Sequence, residues 1–301
     1  MTTTKHLIFV VLLFLSLQVC AQPERIKSIF PEGTQFLQNI PYANDTLKKH
    51  LLDIYLPKDV RPNTPVVIWV HGGAWMLNDK YADMGYMTNT IKSILEKGYV
   101  LASIDYRHST TAIIPAQIQD CYQALEFLHN NASKYKLDKN KFVLFGFSAG
   151  GHLASLIALS INDNVAGFYP QKKKTSFKIK AVIDFYGPSD FLAMTAAGDP
   201  EMKGDPISTL LGGTPLKRPD LSKAASPVNY VDKDDPPFII VHGEKDESVP
   251  YQQSVLLQSY LNLAGVRNDL VIVKGAPHFG VMFDTDDVRE KVLNFLMAVL
   301  K

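Results

Sequence analysis

Short apolar runs alternate with longer amphipathic stretches along most of the chain. The runs rich in β-branched and aromatic residues, each short enough to be a strand, are 51–56, 65–70, 100–106, 142–147, 179–186, 238–241 and 270–273. Between them, helical periodicity predicts helices at about 84–97, 115–134, 149–159, 251–263 and 286–300. The central runs are apolar on both faces, which is typical of parallel strands covered by helices on each side. The pattern therefore predicts an α/β fold with a mostly parallel central sheet flanked by helices on both faces.

One long segment interrupts this alternation. Residues 188–235 are rich in Gly, Pro, Asp and Lys and lie between two strong strand patterns. We interpret them as an irregular insertion, and both a cap over a pocket and a plain surface excursion fit this composition. Because the chain has no internal repeat and no low-complexity linker, residues 22–301 are predicted to form a single domain.

The first residues have the pattern of a signal peptide. Lys5 precedes a stretch at 7–17 that is apolar except for Ser16 and is shorter than the roughly 20 residues that a transmembrane helix needs. Short side chains then precede a cleavage site after residue 21, so we predict a signal peptide over 1–21, no transmembrane span, and export to the periplasm or beyond. A lipid anchor on Cys20 is an alternative, although Val19 is bulkier than the residue that usually precedes a lipidated cysteine.

Composition and charge argue against a nucleic acid partner and against stabilisation by an internal disulfide. The 301 residues are 46% hydrophobic and 20% charged, as in ordinary globular proteins, and 31 basic residues nearly balance 30 acidic ones. The basic run 172–174 has no interleaved aromatic residues, so no nucleic acid partner is expected. After removal of residues 1–21, Cys121 is the one cysteine left, so the exported chain would have no internal disulfide.

A glycine-flanked serine follows one of the predicted strands. Gly146-Phe147-Ser148-Ala149-Gly150 comes directly after the strand pattern and opens a helical pattern, which is the context that the G-x-S-x-G elbow requires. A serine on a sharp strand-to-helix turn needs small neighbours on both sides. The helix start also directs the amide of Ala149 towards the site. We therefore predict that Ser148 is a nucleophile.

A second glycine motif supplies candidate donors for an oxyanion. The buried strand pattern at 65–70 ends in His71-Gly72-Gly73, and glycines at such a turn allow backbone N–H groups to approach a substrate closely. The alternative is a tight turn after a core strand, with His71 hydrogen-bonded inside the protein. Together with the serine motif, the pattern favours the amides of Gly73 and Ala149 as oxyanion donors, with Gly72 as a further candidate.

A nucleophilic serine needs a base, and the base needs an acid that orients it. In this class of site the chain order is serine, acid, base. Asp246 lies in the loop after the strand pattern at 238–241, and His278 lies in the loop after the pattern at 270–273. Because the carboxyl ends of parallel strands meet at one edge of a sheet, both belong beside Ser148.

Several other residues compete for these roles. Glu244 and Glu247 are close to Asp246 but would need the loop to point differently, whereas Asp234 and Asp235 precede the strand and lie at its wrong end. The other candidate histidines are more often packed or solvated than basic, namely His108, His129, His152 and His242. His242, Glu244 and Asp246 are also candidate metal ligands. Because the sequence has no H-E-x-x-H motif and no cysteine cluster to support such a site, we predict no metal and no cofactor.

With these residues, the chain resembles the hormone-sensitive-lipase-like esterases and, more closely, the bacterial feruloyl and acetylxylan esterase group often labelled BD-FAE. The shared motifs span nearly the whole chain after residue 21: Leu52–Pro57, His71–Trp75, Asp105–Arg107, Pro115–Gln117 with Asp120, Ser148–His152, Ala225–Pro227, and Val241–Gly243 before Asp246. The resemblance implies the α/β-hydrolase fold. The lipase relatives usually have a third glycine where this chain has Ala74-Trp75, and the aromatic version also resembles kynurenine formamidases. Trp75 is thus either part of the substrate pocket or a packed core residue.

The resemblance implies an ester hydrolase that removes acetyl or feruloyl groups from plant xylan, and the predicted export fits esters met outside the cytoplasm. Its partners would be small esters or decorated polysaccharides. The alternatives are a lipase-like short-chain esterase, an arylformamidase or amidase using the same residues, and a secreted peptidase. A non-catalytic binding protein on the same scaffold would be expected to have lost Ser148, Asp246 or His278, and all of them are present.

Overall fold

An eight-stranded β-sheet runs through the part of the chain that this computed structural model describes, which is residues 26–163, 165, 167–169, 177–195 and 205–301. Its strands are β1 (Gln35–Pro41), β2 (Leu51–Leu56), β3 (Thr64–Val70), β4 (Val100–Ile104), β5 (Leu137–Phe147), β6 (Ile179–Phe185), β7 (Phe238–Gly243) and β8 (Asn268–Val273). The order across the sheet is β1-β2-β4-β3-β5-β6-β7-β8. β2 is antiparallel to both of its neighbours, and all the other pairings are parallel. The mostly parallel sheet is confirmed.

The edge strand β1 has no counterpart among the predicted strands. Its residues, Gln35–Pro41, are half-exposed, and their sequence mixes apolar side chains with Gln, Asn and Pro. An edge strand needs neither two apolar faces nor strict alternation, so the hydrophobic pattern that marks the central strands is absent here.

The helices are α1 (Thr88–Glu96), α2 (Ala116–Asn130), α3 (Ala149–Ser160), α4 (Phe191–Thr195), α5 (Pro206–Leu211), α6 (Pro219–Ala224), α7 (Gln252–Ala264) and α8 (Asp286–Val299). Short 3₁₀ turns lie at Met84–Tyr86, Pro227–Tyr230 and Val281–Asp284. The predicted helix at 84–97 thus divides into a 3₁₀ turn and α1. The predicted helix at 115–134 ends at Asn130.

The two faces of the sheet are buried under different helices. In β3, Val66, Ile68 and Val70 pack in the cluster that contains residues of α2, α3 and α7. The alternate residues Val67 and Trp69 pack in the cluster that contains residues of α1 and α8. Since successive side chains of a strand point to opposite faces, this confirms helices on both faces of the sheet.

The insertion at 188–235 is less irregular than its composition indicates. Its described parts contain α4, α5 and α6, and Asp205 caps α5 by accepting hydrogen bonds from the amides of Ile207 and Ser208. Each of these helices is five or six residues long. That is too short to produce a recognisable apolar period, so sequence reasoning missed them.

The predicted signal peptide, residues 1–21, lies outside the described residues. In the part of the chain that is described, no helix is both long enough and apolar enough to cross a membrane. The loops after β3, β5, β7 and β8 leave the sheet at the same edge, because these strands are parallel. This edge carries the residues that the motifs single out.

Candidate active site

Ser148 occupies a strained turn between β5 and α3. Its backbone has φ 53° and ψ −117°, outside the regions that non-glycine residues favour. Its N–H donates to the carbonyl oxygen of Phe185 at 2.8 Å, which holds the turn against β6. A Cβ at Gly146 would collide with the carbonyl oxygen of Gly150, and a Cβ at Gly150 would collide with that of Val70. The glycines of the motif are therefore needed for close backbone approach.

The structure brings Ser148, His278 and Asp246 together in one chain of hydrogen bonds. The Oγ of Ser148 lies 2.8 Å from Nε2 of His278, and Nδ1 of His278 lies 2.6 Å from Oδ2 of Asp246. The Asp246 side chain is fully buried, whereas that of His278 is 16% exposed. In this arrangement Nδ1–H donates to the carboxylate, and the free Nε2 faces the serine hydroxyl.

The Asp246 carboxylate is held in its ionised form by its neighbours. Burial acts to raise its pKa, but hydrogen bonds from His242 and His278, the positive charge of His278 when protonated, and the amide of Val249 bring the pKa well below its ordinary value. Oδ1 accepts from the amides of Ser248 and Val249 at 2.9 and 2.8 Å. An ionised, oriented acid is what the base requires.

The competing acids are placed elsewhere. Glu244 is exposed and accepts a hydrogen bond from the amide of Gly275, and Glu247 is exposed too. Among the described residues, no group of three or more His, Cys, Asp and Glu side chains is arranged to hold a metal ion. Neither glutamate is hydrogen-bonded to His278, whose Nδ1 lies against Asp246.

His242 is packed, one of the two roles predicted for it, but sequence reasoning missed its contact with Asp246. Its ring is fully buried. Nε2 lies close to two acceptors, Oδ2 of Asp246 at 3.0 Å and the carbonyl oxygen of Val249 at 2.8 Å. Nδ1 lies 2.6 Å from Oγ of Ser254. The arrangement places the proton on Nε2 and leaves Nδ1 to accept from the hydroxyl. His242 lies in β7 and Asp246 lies in the loop after it, and their spacing along the chain does not by itself show that the two side chains meet.

The loop after β3 corrects one predicted oxyanion donor. The N–H of Gly72 donates to Oδ2 of Asp83 at 2.8 Å and is not free for a substrate. By contrast, the amides of Gly73, Ala74 and Ala149 have no hydrogen-bond acceptor among the described residues. Gly73 and Ala74 also line the cavity beside Ser148. The role predicted for Gly72 thus fits Ala74 better.

Ala74 was missed because it is not a glycine. Its φ is 54°, in the left-handed region where glycine is favoured, and that of Gly73 is 119°. The third glycine of the lipase relatives falls at this position and suits its left-handed backbone. In this chain alanine adopts the same conformation, with some backbone strain.

Trp75 is both packed and part of the cavity wall. It is only 3% exposed, lines the cavity, and donates from Nε1 to Nδ1 of His152 at 3.2 Å. Nε2 of His152 lies 2.7 Å from the carbonyl oxygen of Ala225 and donates to it. Burial lowers the pKa of His152 to about 4, so this ring is neutral near pH 7 and holds Trp75 in place.

A cavity of about 660 Å³ lies against Ser148 and His278. This volume is within the range of small-molecule sites. Five residues of the insertion contribute to its wall, namely Pro188, Met194, Asp205, Pro206 and Ile207. At its rim, Leu77 and Phe279 are 60% and 64% exposed. The insertion therefore borders the site, as a cap does, rather than forming a remote surface excursion.

Comparison with known proteins identifies relatives of this chain. Esterase LipQ of Mycobacterium tuberculosis is 34% identical over 231 residues, which cover 75% of this chain and 53% of that protein. The chain spans about half the length of this curated relative.

Two solved structures resemble this one over most of the chain. A truncated carbohydrate esterase from gut microbiota superimposes with a TM-score of 0.78 at 32% identity, covering 89% of this chain and 98% of that one. A bifunctional GH43-CE protein of Bacteroides eggerthii gives a TM-score of 0.79 at 35% identity, covering 88% of this chain and 35% of that one. The fold is that of the α/β hydrolases. Residues 52–261 match the BD-FAE family model, and the chain belongs to the BD-FAE family.

Proposed function

We propose that this protein is a carboxylic ester hydrolase that works through Ser148, His278 and Asp246. The observation that carries the proposal is the unbroken hydrogen-bond chain from Oγ of Ser148 through His278 to Asp246. Nε2 of His278 takes the serine proton as Oγ attacks the ester carbonyl, and Asp246 stabilises the imidazolium that forms. The same Nε2–H then protonates the leaving alcohol, and an acyl-serine remains.

The negative charge on the carbonyl oxygen is received by backbone amides. Gly73, Ala74 and Ala149 supply N–H groups that have no other acceptor in the described part of the chain. Loss of one donor of this kind costs roughly 3 to 4 kcal/mol of transition-state stabilisation in related chemistry. Water, activated by His278, then hydrolyses the acyl-serine and regenerates the free hydroxyl.

We propose acetyl or feruloyl esters of plant xylan as the substrates. The names of the two similar structures, a carbohydrate esterase and a GH43-CE protein, support a carbohydrate ester. The rim adds a physical argument, because Phe279 follows the base His278 directly and is 64% exposed. Since His278 protonates the leaving alcohol, an apolar ring beside it is placed to contact the apolar face of a sugar.

A comparison of substrates tests this proposal. Acetyl, butyryl and octanoyl aryl esters, acetylated xylan, methyl ferulate and an aryl formamide are assayed with the wild type and with Ser148→Ala. Ser259→Ala, on the exposed face of α7, is the matched control and keeps wild-type activity. We expect release of acetate or ferulate that disappears in Ser148→Ala. Preference for octanoyl esters without release from xylan would support the lipase-like alternative, and preference for the formamide would support an amidase.

An organofluorophosphonate probe separates an enzyme from a non-catalytic relative. We expect the probe to label Ser148 in the wild type and to leave Ser148→Ala unlabelled. A folded protein without labelling at Ser148 contradicts the ester hydrolase proposal.

We also propose that the protein is exported after removal of residues 1–21. The support is the apolar stretch at 7–17 with short side chains before Gln22. The full chain is expressed in a bacterial host, and the mature protein is analysed by N-terminal sequencing and mass spectrometry. A start at Gln22 is expected. A start at Cys20 with an added lipid mass would show lipid anchoring, and an uncleaved chain would contradict export.

A further inference from the structure

The loop after β3 contains three consecutive residues with left-handed backbone. Gly73, Ala74 and Trp75 have φ values of 119°, 54° and 58°. Non-glycine residues persist in this region only where surrounding contacts over-determine the conformation. Because the amides of Gly73 and Ala74 are the proposed oxyanion donors, these contacts also set the geometry of the reaction.

Several hydrogen bonds anchor this loop. The hydroxyl of Tyr106 donates to the carbonyl oxygen of His71 at 2.8 Å, and the amides of Met76 and Leu77 donate to the carbonyl oxygen of Gly73 at 2.9 Å. The bond from the N–H of Gly72 to Oδ2 of Asp83 differs from these, since its acceptor is a carboxylate that itself lines the cavity. It also immobilises the residue that precedes both free amides.

The other carboxylate oxygen of Asp83 is hydrogen-bonded to a tyrosine on the side of the base. The hydroxyl of Tyr86 donates to Oδ1 of Asp83 at 2.6 Å and lies 2.8 Å from the hydroxyl of Tyr186. The ring centroid of Tyr186 is 4.9 Å from that of His278. Burial raises the pKa of Asp83, and the hydrogen bonds from Tyr86 and Gly72 act in the opposite direction. Both carboxylate oxygens are thus engaged within the protein.

We propose that Asp83 is a positioning residue for the oxyanion hole. By accepting from the N–H of Gly72, it fixes the loop so that the amides of Gly73 and Ala74 face the carbonyl oxygen of the ester that Ser148 attacks. Through the hydroxyls of Tyr86 and Tyr186, Asp83 also links this loop to the ring that packs against His278. The same hydrogen-bonded group therefore positions both the oxyanion donors and the base. The inference rests on the proposed hydrolase mechanism.

The main alternative is that Asp83 binds the substrate directly, because it lines the cavity. The two roles differ in the kinetic parameter that they change. A support of the oxyanion hole acts in the transition state and changes kcat, whereas a ground-state contact to the substrate changes KM.

The test compares Asp83→Ala and Asp83→Asn in the full-length protein. Alanine removes the acceptor, and we expect kcat for an aryl acetate to fall about 10- to 100-fold with KM within about threefold of wild type, as displaced catalytic geometry predicts. Asparagine keeps one oxygen for Gly72 and donates from its amide to Tyr86, so we expect kcat within about threefold of wild type. Asp59→Ala, an exposed aspartate on the loop after β2, is the matched control and should change neither parameter.

A second measurement excludes a merely structural effect. An aryl trifluoromethyl ketone adds to Ser148 and places an oxyanion in the donor site, so in Asp83→Ala its inhibition constant should rise by about the same factor as kcat/KM falls. If alanine prevents folding, as judged by circular dichroism, Asp83→Ser replaces it, because a hydroxyl on this short side chain does not reach Gly72.

Three outcomes overturn the inference. They are a folded Asp83→Ala protein with wild-type kcat, an increase confined to KM, and an equal loss in Asp83→Asn, which would assign the effect to charge instead of hydrogen bonding. In each case the measured rate is the part of the esterase activity that is lost in Ser148→Ala. A failure of the hydrolase mechanism would instead appear as activity that survives in Ser148→Ala.

Discussion

Asp246 is the residue on which most hydrogen bonds of the site converge. Its two oxygens contact the amides of Ser248 and Val249 and the rings of His242 and His278. Asp246→Asn keeps the shape but places an amide beside Nδ1 of His278, which favours the wrong tautomer of the base. We expect kcat to fall about 10⁴-fold with little change in KM. Steady-state kinetics with an aryl acetate measures this, and a loss below tenfold would exclude Asp246 as the orienting acid.

His242 gives a prediction about stability and pH. Its Nε2–H contributes to keeping the pKa of Asp246 below the ordinary value. A depressed carboxyl pKa stabilises the fold above the unfolded-state pKa of about 4, and this stabilisation is lost as pH falls through the folded-state pKa.

His242→Phe keeps an aromatic ring but cannot donate, so the acid-unfolding midpoint should move to higher pH. The free energy of unfolding at pH 7 should fall by about 1.5 to 3 kcal/mol, the contribution of a hydrogen bond to a charged group. An acid titration followed by circular dichroism measures the midpoint, and urea titrations at pH 7 measure the free energy of unfolding. His129→Phe, at a partly buried position on α2, is the control. An unchanged acid midpoint in His242→Phe would separate His242 from the ionisation of Asp246.

Phe279 provides a test of substrate preference. Its side chain projects at the rim next to His278, where the alcohol departs in the proposed mechanism. In Phe279→Ala we expect kcat/KM for acetylated xylan to fall about 5- to 20-fold, in the range of one aromatic contact, with less than a twofold change for ethyl acetate. Val255→Ala, exposed on α7, is the control for removal of apolar surface. Equal losses on both esters would assign Phe279 to the positioning of His278.

At the scale of elements, β5, the elbow and α3 form a unit that depends on close backbone packing. A Cβ at Gly150 would collide with the carbonyl oxygen of Val70 in β3. Gly150→Ala should therefore lower the free energy of unfolding by about 3 kcal/mol or more, at the upper end of overpacking. Gly85→Ala is the control, since a Cβ there meets no atom within 4 Å. Urea unfolding compares the two, and equal stabilities would show that the elbow relaxes.

The helices and strands differ in how accurately the sequence predicts them. The buried strands β3 and β5 and the helix α3 have long, consistent apolar patterns, and their predicted positions agree with the structure within a few residues at each end, apart from an early start of β5. β1 and the short helices of the insertion have no such pattern, because an exposed edge and a single helical turn need little burial.

For the whole molecule, stability has to come from the core. Cys121 is buried and free, and the described residues contain no disulfide. We expect the thermal midpoint of residues 22–301 to be the same within about 1 °C with and without a reductant. Differential scanning calorimetry measures this, with Cys121→Ser as a second sample that should be less stable but equally insensitive. A lower midpoint in reductant would reveal a disulfide between chains.

The chain alone contains enough to assign Ser148, Asp246 and His278, the sheet and the family resemblance. Local glycine requirements and strand periodicity are encoded within a few neighbouring residues, and the order of the motifs limits how they meet. The contacts of Asp83 and His242, the engaged amide of Gly72 and the free amide of Ala74 emerge only in the folded protein. These contacts depend on the angle at which each loop leaves its strand, and such angles result from packing between residues far apart in the chain.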